Sequence, residues 1–307
     1  MRASAGLRRR GGVRAAVAAL AAVMAAVVAA GCTSPPESMF GEGKQVRVGT
    51  KGDQPGTSFT RHAGVYDGFD IAVAKEVLGG VGVKEPLFTG VLSKNRAIDL
   101  RKGAVDLVVG TYSITKKRMA PTSEPNGEGL DFVGPYASTP QGVLVRAEER
   151  DRYHALDDLD GRLVCVWKGT TSVQELSKPA YRQIRLHEEE DAAYCVKALK
   201  EGRVDAVSTD QMILYGFMEA EPALTVVPGI AFGATNDYGI AMVKGHREDC
   251  ERLREALKTY VSGNDWDRDF QNNLDVMPAA ERNEAKPTTS EIDAVSCRDQ
   301  PANASID

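Results

Sequence analysis

The chain has 307 residues, with 38 Lys and Arg against 43 Asp and Glu, a net charge of −5 and a hydrophobic share of 42%. That share suits a packed globular protein, and the acidic balance argues against a nucleic-acid binder, which needs a basic face. Beyond residue 31 the chain is long enough for two modest domains or one large one, with no second apolar run that could span a bilayer.

Residues 1–31 read as an export signal. Arg8, Arg9, Arg10 and Arg14 form a basic start, and an Ala- and Val-rich run follows from Ala15 to Ala30. The run is short and weakly apolar for a membrane span, and small residues follow it as a cleavage site would need. Ala29-Ala30-Gly31-Cys32 then resembles a bacterial lipobox, with Ala29 where such motifs usually carry Leu. Cleavage there would make Cys32 the lipidated first residue and anchor the protein to the membrane; the alternative is an ordinary signal peptide with an incidental cysteine. Loss of the five signal arginines takes the net charge to −10, so any bound anion must be held by local arginines.

Residues 32–43, rich in Ser, Pro and Gly, read as a tether. Val46-Arg47-Val48-Gly49 opens a strand, and Ile71 to Leu78 has helical spacing that stops at Gly79-Gly80. Leu87-Phe88 is a further strand. Ser93 is placed as the cap of a helix through Arg96, Ile98 and Leu100 to Gly103, before a buried strand over Val105–Val109. A second unit begins near residue 141 with Gly142–Val145 as a strand. Leu163–Trp167 is another strand, followed by a Gly-Thr-Thr-Ser turn at 169–172 and a helix. Asp191 to Lys200 is helical and Val204–Val207 a strand. Tyr238–Val243 is a late strand and Glu251–Tyr260 an amphipathic helix. Strand and helix alternate, which predicts an α/β fold with a largely parallel sheet. Lys102-Gly103-Ala104-Val105-Asp106 echoes Glu201-Gly202-Arg203-Val204-Asp205, which suggests two similar lobes.

Besides Cys32 there are four cysteines: Cys165, Cys195, Cys250 and Cys297. An even number in an exported chain points to two disulfides with three possible connectivities. Cys165 on a strand beside Cys195 on the following helix, and Cys250 at a helix start with Cys297 in the tail, favour Cys165–Cys195 and Cys250–Cys297. The tail from residue 281 is polar and is expected to be loose unless Cys297 pins it. No CxxC spacing and no neighbouring His suggests a metal, and no cofactor is expected.

Six strings in order resemble the extracellular solute-binding proteins of polar amino-acid ABC importers. They are Val48-Gly49-Thr50, Gly68–Ala74, Gly110–Arg118, Asp131–Tyr136, Trp167–Ser172 and Asp205–Asp210. Gln54-Pro55-Gly56, Ser93-Lys94-Asn95-Arg96 and Tyr194-Cys195 make the chain look most similar to the glutamate/aspartate branch. The resemblance implies a two-lobed periplasmic-binding-protein fold (type II), with two hinge strands and the ligand in the cleft. Lobe one would be 44–136 plus 238–280, lobe two 141–235, and 281–307 a tail pinned by a disulfide. It also implies a membrane permease as partner and a monomeric receptor.

An acidic amino acid presents two carboxylates and one ammonium. Arginine forks suit carboxylates, and a carboxylate suits the ammonium. By resemblance, Arg118 takes the α-carboxylate at the start of a helix, aided by Ser113 and its neighbours, including Thr111. Otherwise Arg118 joins Lys116 and Lys117 on a solvated basic face. Asp210 takes the ammonium, or else serves as a helix N-cap. Ser93 and Arg96 take the side-chain carboxylate, or else are a cap and an exposed helical residue. Thr170 and Thr171 add donors from lobe two, with Lys168 either helping or solvated. Asp53 and Gln54 stand where relatives often carry a shielding aromatic. Residues 121–129 look inserted after Arg118, either covering the cleft or decorating the surface.

Two other classes compete. An enzyme is disfavoured: His62, His154, His187 and His246 fall in no catalytic motif, and no nucleophile elbow or P-loop is present. A sensor for a membrane signalling partner would share the fold, and the residues do not separate it from an importer's receptor.

Overall fold

A computed structural model of the protein describes Met1 and residues 37–41 and 43–298. The expected signal segment and Cys32 lie outside the described residues. The chain takes hold of the fold at Ser38–Phe40, where the Met39 amide donates to the Asp249 carboxylate at 2.7 Å and Phe40 is buried.

The elements in chain order are β1 (Arg47–Thr50), β2 (Asp53–Gln54), β3 (Ser58–His62), β4 (Val65–Asp67), α1 (Phe69–Gly80), β5 (Leu87–Gly90), α2 (Arg96–Arg101) and β6 (Leu107–Val108). Then come α3 (Lys116–Met119), β7 (Leu130–Arg146), β8 (Leu163–Trp167), α4 (Thr171–Leu176), β9 (Arg185–Glu189), α5 (Ala192–Lys200), β10 (Ala206–Asp210) and α6 (Gln211–Ala220). The chain continues with β11 (Leu224–Val226), β12 (Phe232–Val243), α7 (Arg247–Ser262), α8 (Asp265–Leu274), α9 (Ala279–Ala285) and α10 (Thr289–Val295).

One sheet runs in the order β5-β1-β6-β12-β7-β10-β8-β9, with β11 also on β7, and β2-β3-β4 form a small separate sheet. β1 is parallel to β5 and β6, and β8 is parallel to β9 and β10. The inner strands β1, β6, β8 and β10 are almost wholly buried, whereas the edge strands β5 and β9 are partly exposed. The two parallel groups are joined through β7 and β12, which pair antiparallel from Val243–Leu130 to Phe232–Gln141, with irregular register near the middle. β7 begins beside the first group and ends beside β10 of the second. Each lobe therefore has its own α/β layer, and two long strands pass between them.

Burial explains the helices. α1 buries Phe69, Ile71, Val73, Ala74, Val77 and Leu78, roughly 1.5–3 kcal/mol for each large side chain. Its start at Gly68 has φ of 125°, and a Cβ there would lie 2.4 Å from the Thr57 carbonyl oxygen, so only glycine fits. Trp266 and Phe270 of α8 stack at 4.8 Å and close against Phe69.

Two sequence expectations change. Ser93 makes no capping bond; it lies in a 3-10 turn (Ser93–Asn95) that leads into α2. Gly142–Val145 is not a separate strand but the end of the 17-residue β7. The stretch after 281, expected to be loose unless Cys297 pins it, is pinned by Cys250–Cys297 and forms α9 and α10 as far as residue 298, with Thr288 and Glu291 making a capping box for α10. Both expected disulfides are present, Cys165–Cys195 and Cys250–Cys297. Among the described residues no helix is long and apolar enough to cross a membrane.

Candidate functional site

A cavity between the lobes is lined by Gln54, Ser93, Arg96, Thr111, Ser113 and Arg118 from one side. Trp167, Thr170, Thr171, Thr209, Asp210 and Ile213 line it from the other. All eight residues singled out in the sequence for ligand contact are among them. The lobes are closed on one another: the space left is about 10 Å³, on the order of one water.

Arg118 is 3% exposed, so it is not part of a solvated basic face. It sits on α3, a single turn whose cap is Thr115, with the Thr115 hydroxyl accepting from the Arg118 amide at 3.2 Å. The guanidinium, rather than a helix terminus, is what this turn presents. Its Nη1 donates to the Ser113 carbonyl at 2.5 Å and its Nη2 to the Gly169 carbonyl at 3.2 Å.

Arg96 is 2% exposed, which removes the reading as a surface helical residue. Its donors go to the carbonyls of Ser93, Gly110 and Thr111 at 3.0–3.2 Å, and Nη2 reaches the Gly169 carbonyl at 3.1 Å. Gly169 thus meets both arginines from the opposite lobe. The two guanidinium carbons lie 4.0 Å (Arg96) and 4.4 Å (Arg118) from the centre of the Tyr112 ring. Burial, and then the like charge of Arg118, pull Arg96 down to about 10.

Asp210 precedes α6 but its side chain makes no capping bond. Its carboxylate accepts from Gln141 Nε2 at 2.7 Å, Asn236 Nδ2 at 2.8 Å and the Tyr238 hydroxyl at 2.6 Å. These three donors come from β7 and β12, so the connecting strands fix this acid. Burial pushes Asp210 up to about 6, against the pull of Tyr238, Arg118, Arg96 and Asn236.

Gln54 is buried and its side-chain Oε1 accepts from the Thr111 hydroxyl at 3.0 Å. Asp53 does not line the cavity; it accepts from the Ala193 amide at 3.0 Å across the lobes. The Thr170 hydroxyl is turned to the Trp167 carbonyl at 2.7 Å. Lys168 pairs with Glu190 at 2.6 Å at the surface, outside the lining. Residues 121–129 fold back on α3 rather than over the cavity, with the Gly129 amide bonded to the Ala120 carbonyl at 2.8 Å and the Glu128 amide to the Lys117 carbonyl at 3.1 Å.

Sequence reasoning missed Trp167, Thr209 and Ile213 as lining residues. The indole N–H of Trp167 is buried without a hydrogen-bond partner among the described residues. Trp167 ends β8 and Thr209 nearly ends β10, so both stand at the carboxyl edge of parallel strands, the edge where ligands usually bind. That placement was the available signal. Among the described residues no group of acidic, His or Cys side chains could hold a metal.

The model of the bacterial extracellular solute-binding proteins, family 3, matches residues 46–268. The glutamate-binding protein GluB of Corynebacterium efficiens is 33% identical over 244 residues, covering 76% of this chain and 80% of that protein. The ABC transporter glutamine-binding protein GlnH of Bacillus subtilis is 30% identical over 220 residues, covering 71% of this chain and 76% of that protein. A solved structure of an ancestral arginine-binding protein bound to arginine superposes with a TM-score of 0.65 at 29% identity, covering 75% of this chain and 98% of that one. The chain therefore belongs to the bacterial extracellular solute-binding proteins, family 3, and has their mixed α/β periplasmic-binding-protein fold; it is an amino-acid-binding protein of an ABC importer and not an enzyme.

Proposed function

We propose that this receptor captures glutamate, and aspartate less tightly, by closure of the two lobes, and that Cys32 carries a lipid that holds it at the outer face of the cell membrane. The lobes are 44–136 with 238–280, and 141–235; residues 281–307 are a tail held by a disulfide. The observation that carries the ligand assignment is the pair of buried arginines facing one cavity with Asp210 also in its wall. Two cations and one anion complement the two carboxylates and one ammonium of glutamate, so the closed site is neutral. Buried charges demand such pairing.

Arg118 takes the α-carboxylate with Ser113 and Thr111, Asp210 the ammonium, and Arg96 with Ser93 the side-chain carboxylate. Thr170 and Thr171 close on the ligand from the second lobe. The Gly169 carbonyl, which meets both guanidiniums in the closed arrangement, marks where ligand oxygens compete for the same donors. Identity of 33% to a glutamate-binding protein supports the same reading. The all-carbonyl partners of Arg96 favour a second reading, in which Arg96 is a structural brace and the side chain bound is a neutral amide such as glutamine's.

Titration calorimetry of the chain from residue 33 onward with Glu, Asp, Gln and Asn separates the two. Glutamate is expected to bind at about micromolar Kd, or roughly −8 kcal/mol, and more tightly than glutamine. Tighter glutamine binding would make Arg96 a brace. Arg118→Ala is expected to cost about 2–5 kcal/mol of binding, since it leaves a buried carboxylate unpaired; unchanged affinity would misplace the whole site. Mass spectrometry of the membrane-extracted protein would show the lipid on Cys32, or an unmodified cysteine if the anchor is wrong.

A further inference from the structure

We propose that Glu128, in the inserted 121–129 loop, is a positioning residue that holds the ring of Tyr112 beneath the two arginines of the cavity. The inference rests on the ligand roles given above to Arg96 and Arg118. Tyr112 is 2% exposed, and its hydroxyl donates to Glu128 Oε2 at 2.7 Å. The ring lies 4.0 Å from the Arg96 guanidinium carbon and 4.4 Å from that of Arg118, and packs edge-on against Phe132 at 5.5 Å.

The loop that brings Glu128 there is built rather than loose. Its end is bonded through backbone to Ala120 and Lys117, so it is tied to the turn that carries Arg118. The Glu128 carbonyl accepts from Arg101 at 3.0 Å, which ties it also to α2, the helix of Arg96. A Cβ on Gly127 would lie 2.0 Å from the Pro121 carbonyl oxygen, so the closure of the loop needs glycine at this place.

The chemistry follows from the ring. A cation is attracted to the π-face of an aromatic residue, more so when desolvated. An anionic acceptor on the phenol hydroxyl pushes electron density into the ring and strengthens that attraction. Two like charges near one ring repel each other, and a carboxylate behind the ring offsets part of that repulsion. In line with this, the Glu128 carboxylate opposes the downward pull on Arg96 that burial and Arg118 exert. Neither Glu128 nor Tyr112 lines the cavity, so both act on the ligand only through the two arginines.

The test compares Glu128→Ala, Glu128→Gln, Tyr112→Phe and the Glu128→Ala/Tyr112→Phe double variant with the unaltered chain, each titrated with L-glutamate and L-glutamine. Glu128→Ala and Tyr112→Phe are each expected to weaken the preferred amino acid about fivefold to tenfold. The double variant is expected to be no worse than the weaker single. Glu128→Gln keeps an acceptor for the hydroxyl but not the charge, and is expected to recover only part of the loss. A second readout needs no ligand. The Nε–H NMR signals of Arg96 and Arg118, shifted by the Tyr112 ring, are expected to move or broaden in Glu128→Ala and to persist in Glu128→Gln. Unchanged arginine signals in Glu128→Ala, or losses that add in the double variant, would overturn the role. The wild-type preference between glutamate and glutamine decides the ligand reading separately, and the ratios among variants decide this one.

Discussion

The Lys51 ammonium lies 2.5 Å from the Asp191 carboxylate, across the two lobes, and its side chain is wholly buried. Asp53 stands 3.6 Å from the same nitrogen, and the Val91 carbonyl accepts from it at 3.3 Å. Asp191 also bonds the first amide of α5 at 3.2 Å. Parting the lobes would return Lys51 to water, so the pair belongs to the closed arrangement. Breaking a buried pair on one side is costly, though the partial exposure of Asp191 lowers the figure to about 1–3 kcal/mol. Asp191→Asn keeps the helix cap and is expected to weaken ligand binding about fivefold to a hundredfold, with little change in the melting temperature of the ligand-free protein. Calorimetry beside a thermal melt checks this. A fall in melting temperature with intact affinity would make the pair a fold contact only.

Two glycines mark where the lobes touch most closely. A Cβ on Gly169 would sit 2.5 Å from the Lys94 backbone, and one on Gly216 would sit 1.8 Å from the Pro55 carbonyl oxygen. Both clashes are with backbone of the opposite lobe, which side-chain movement cannot relieve. Gly216 lies in α6, where alanine is otherwise the better helix former. Gly216→Ala is therefore expected to leave or slightly raise the stability of the open form while lowering ligand affinity at least tenfold. Small-angle scattering is expected to show no ligand-induced compaction for this variant. Compaction and affinity like those of the unaltered chain would count against closure at these contacts.

Asp70, wholly buried at the start of α1, bears on the pH dependence of stability. It accepts from the Tyr136 hydroxyl at 2.8 Å, and its other oxygen has no partner among the described residues. Burial pushes it up to about 7, and Asp210 up to about 6. Raised acids favour the folded state fully below their unfolded values, near 3.8, and that contribution is lost as pH rises through 6 to 7. The contribution of Asp70 to the stability of the ligand-free protein is accordingly expected to be lost between about pH 4 and pH 7. Asp70→Asn keeps an acceptor for Tyr136 and removes one titrating group, about 1.4 kcal/mol per pH unit from that slope. Urea unfolding across the range measures it; an unchanged slope would mean that Asp70 titrates normally.

The Cys250–Cys297 bond closes a sequence separation of 47 residues and holds α10 on the first lobe. Ile292 of α10 is fully buried, and the Cys297 amide donates to the Phe132 carbonyl at 2.9 Å. Opening this loop by Cys297→Ser is expected to cost about 2–4 kcal/mol. For a chain of this size that lowers the melting temperature by roughly 5–15 °C. Ligand affinity is expected to hold, since neither cysteine lines the cavity. Loss of binding in the folded variant would show that the tail reaches the site.

Much was legible in the chain because it is written in local patterns. Apolar runs marked β1, β6 and β8, helical spacing and a Gly-Gly stop marked α1, and the cysteine positions favoured the pairing that forms. All eight candidate contact residues stand around one cavity because ordered strings at the carboxyl ends of strands carry them to the same edge. The sequence could not show β2–β4 or β9, since short or half-exposed strands gain their stability from neighbours rather than from their own periodicity. Nor could it distinguish a buried arginine from a solvated one: Arg96 and Arg118 are decided by how the Tyr112 ring and nearby main-chain carbonyls fold around them and by Gly169, which lies far away in the chain. Residue type determined which charges are available to meet an amino acid. Only the packing of two lobes decided which of them are stripped of water, and it is removal from water that turns an exposed charge into a specific one.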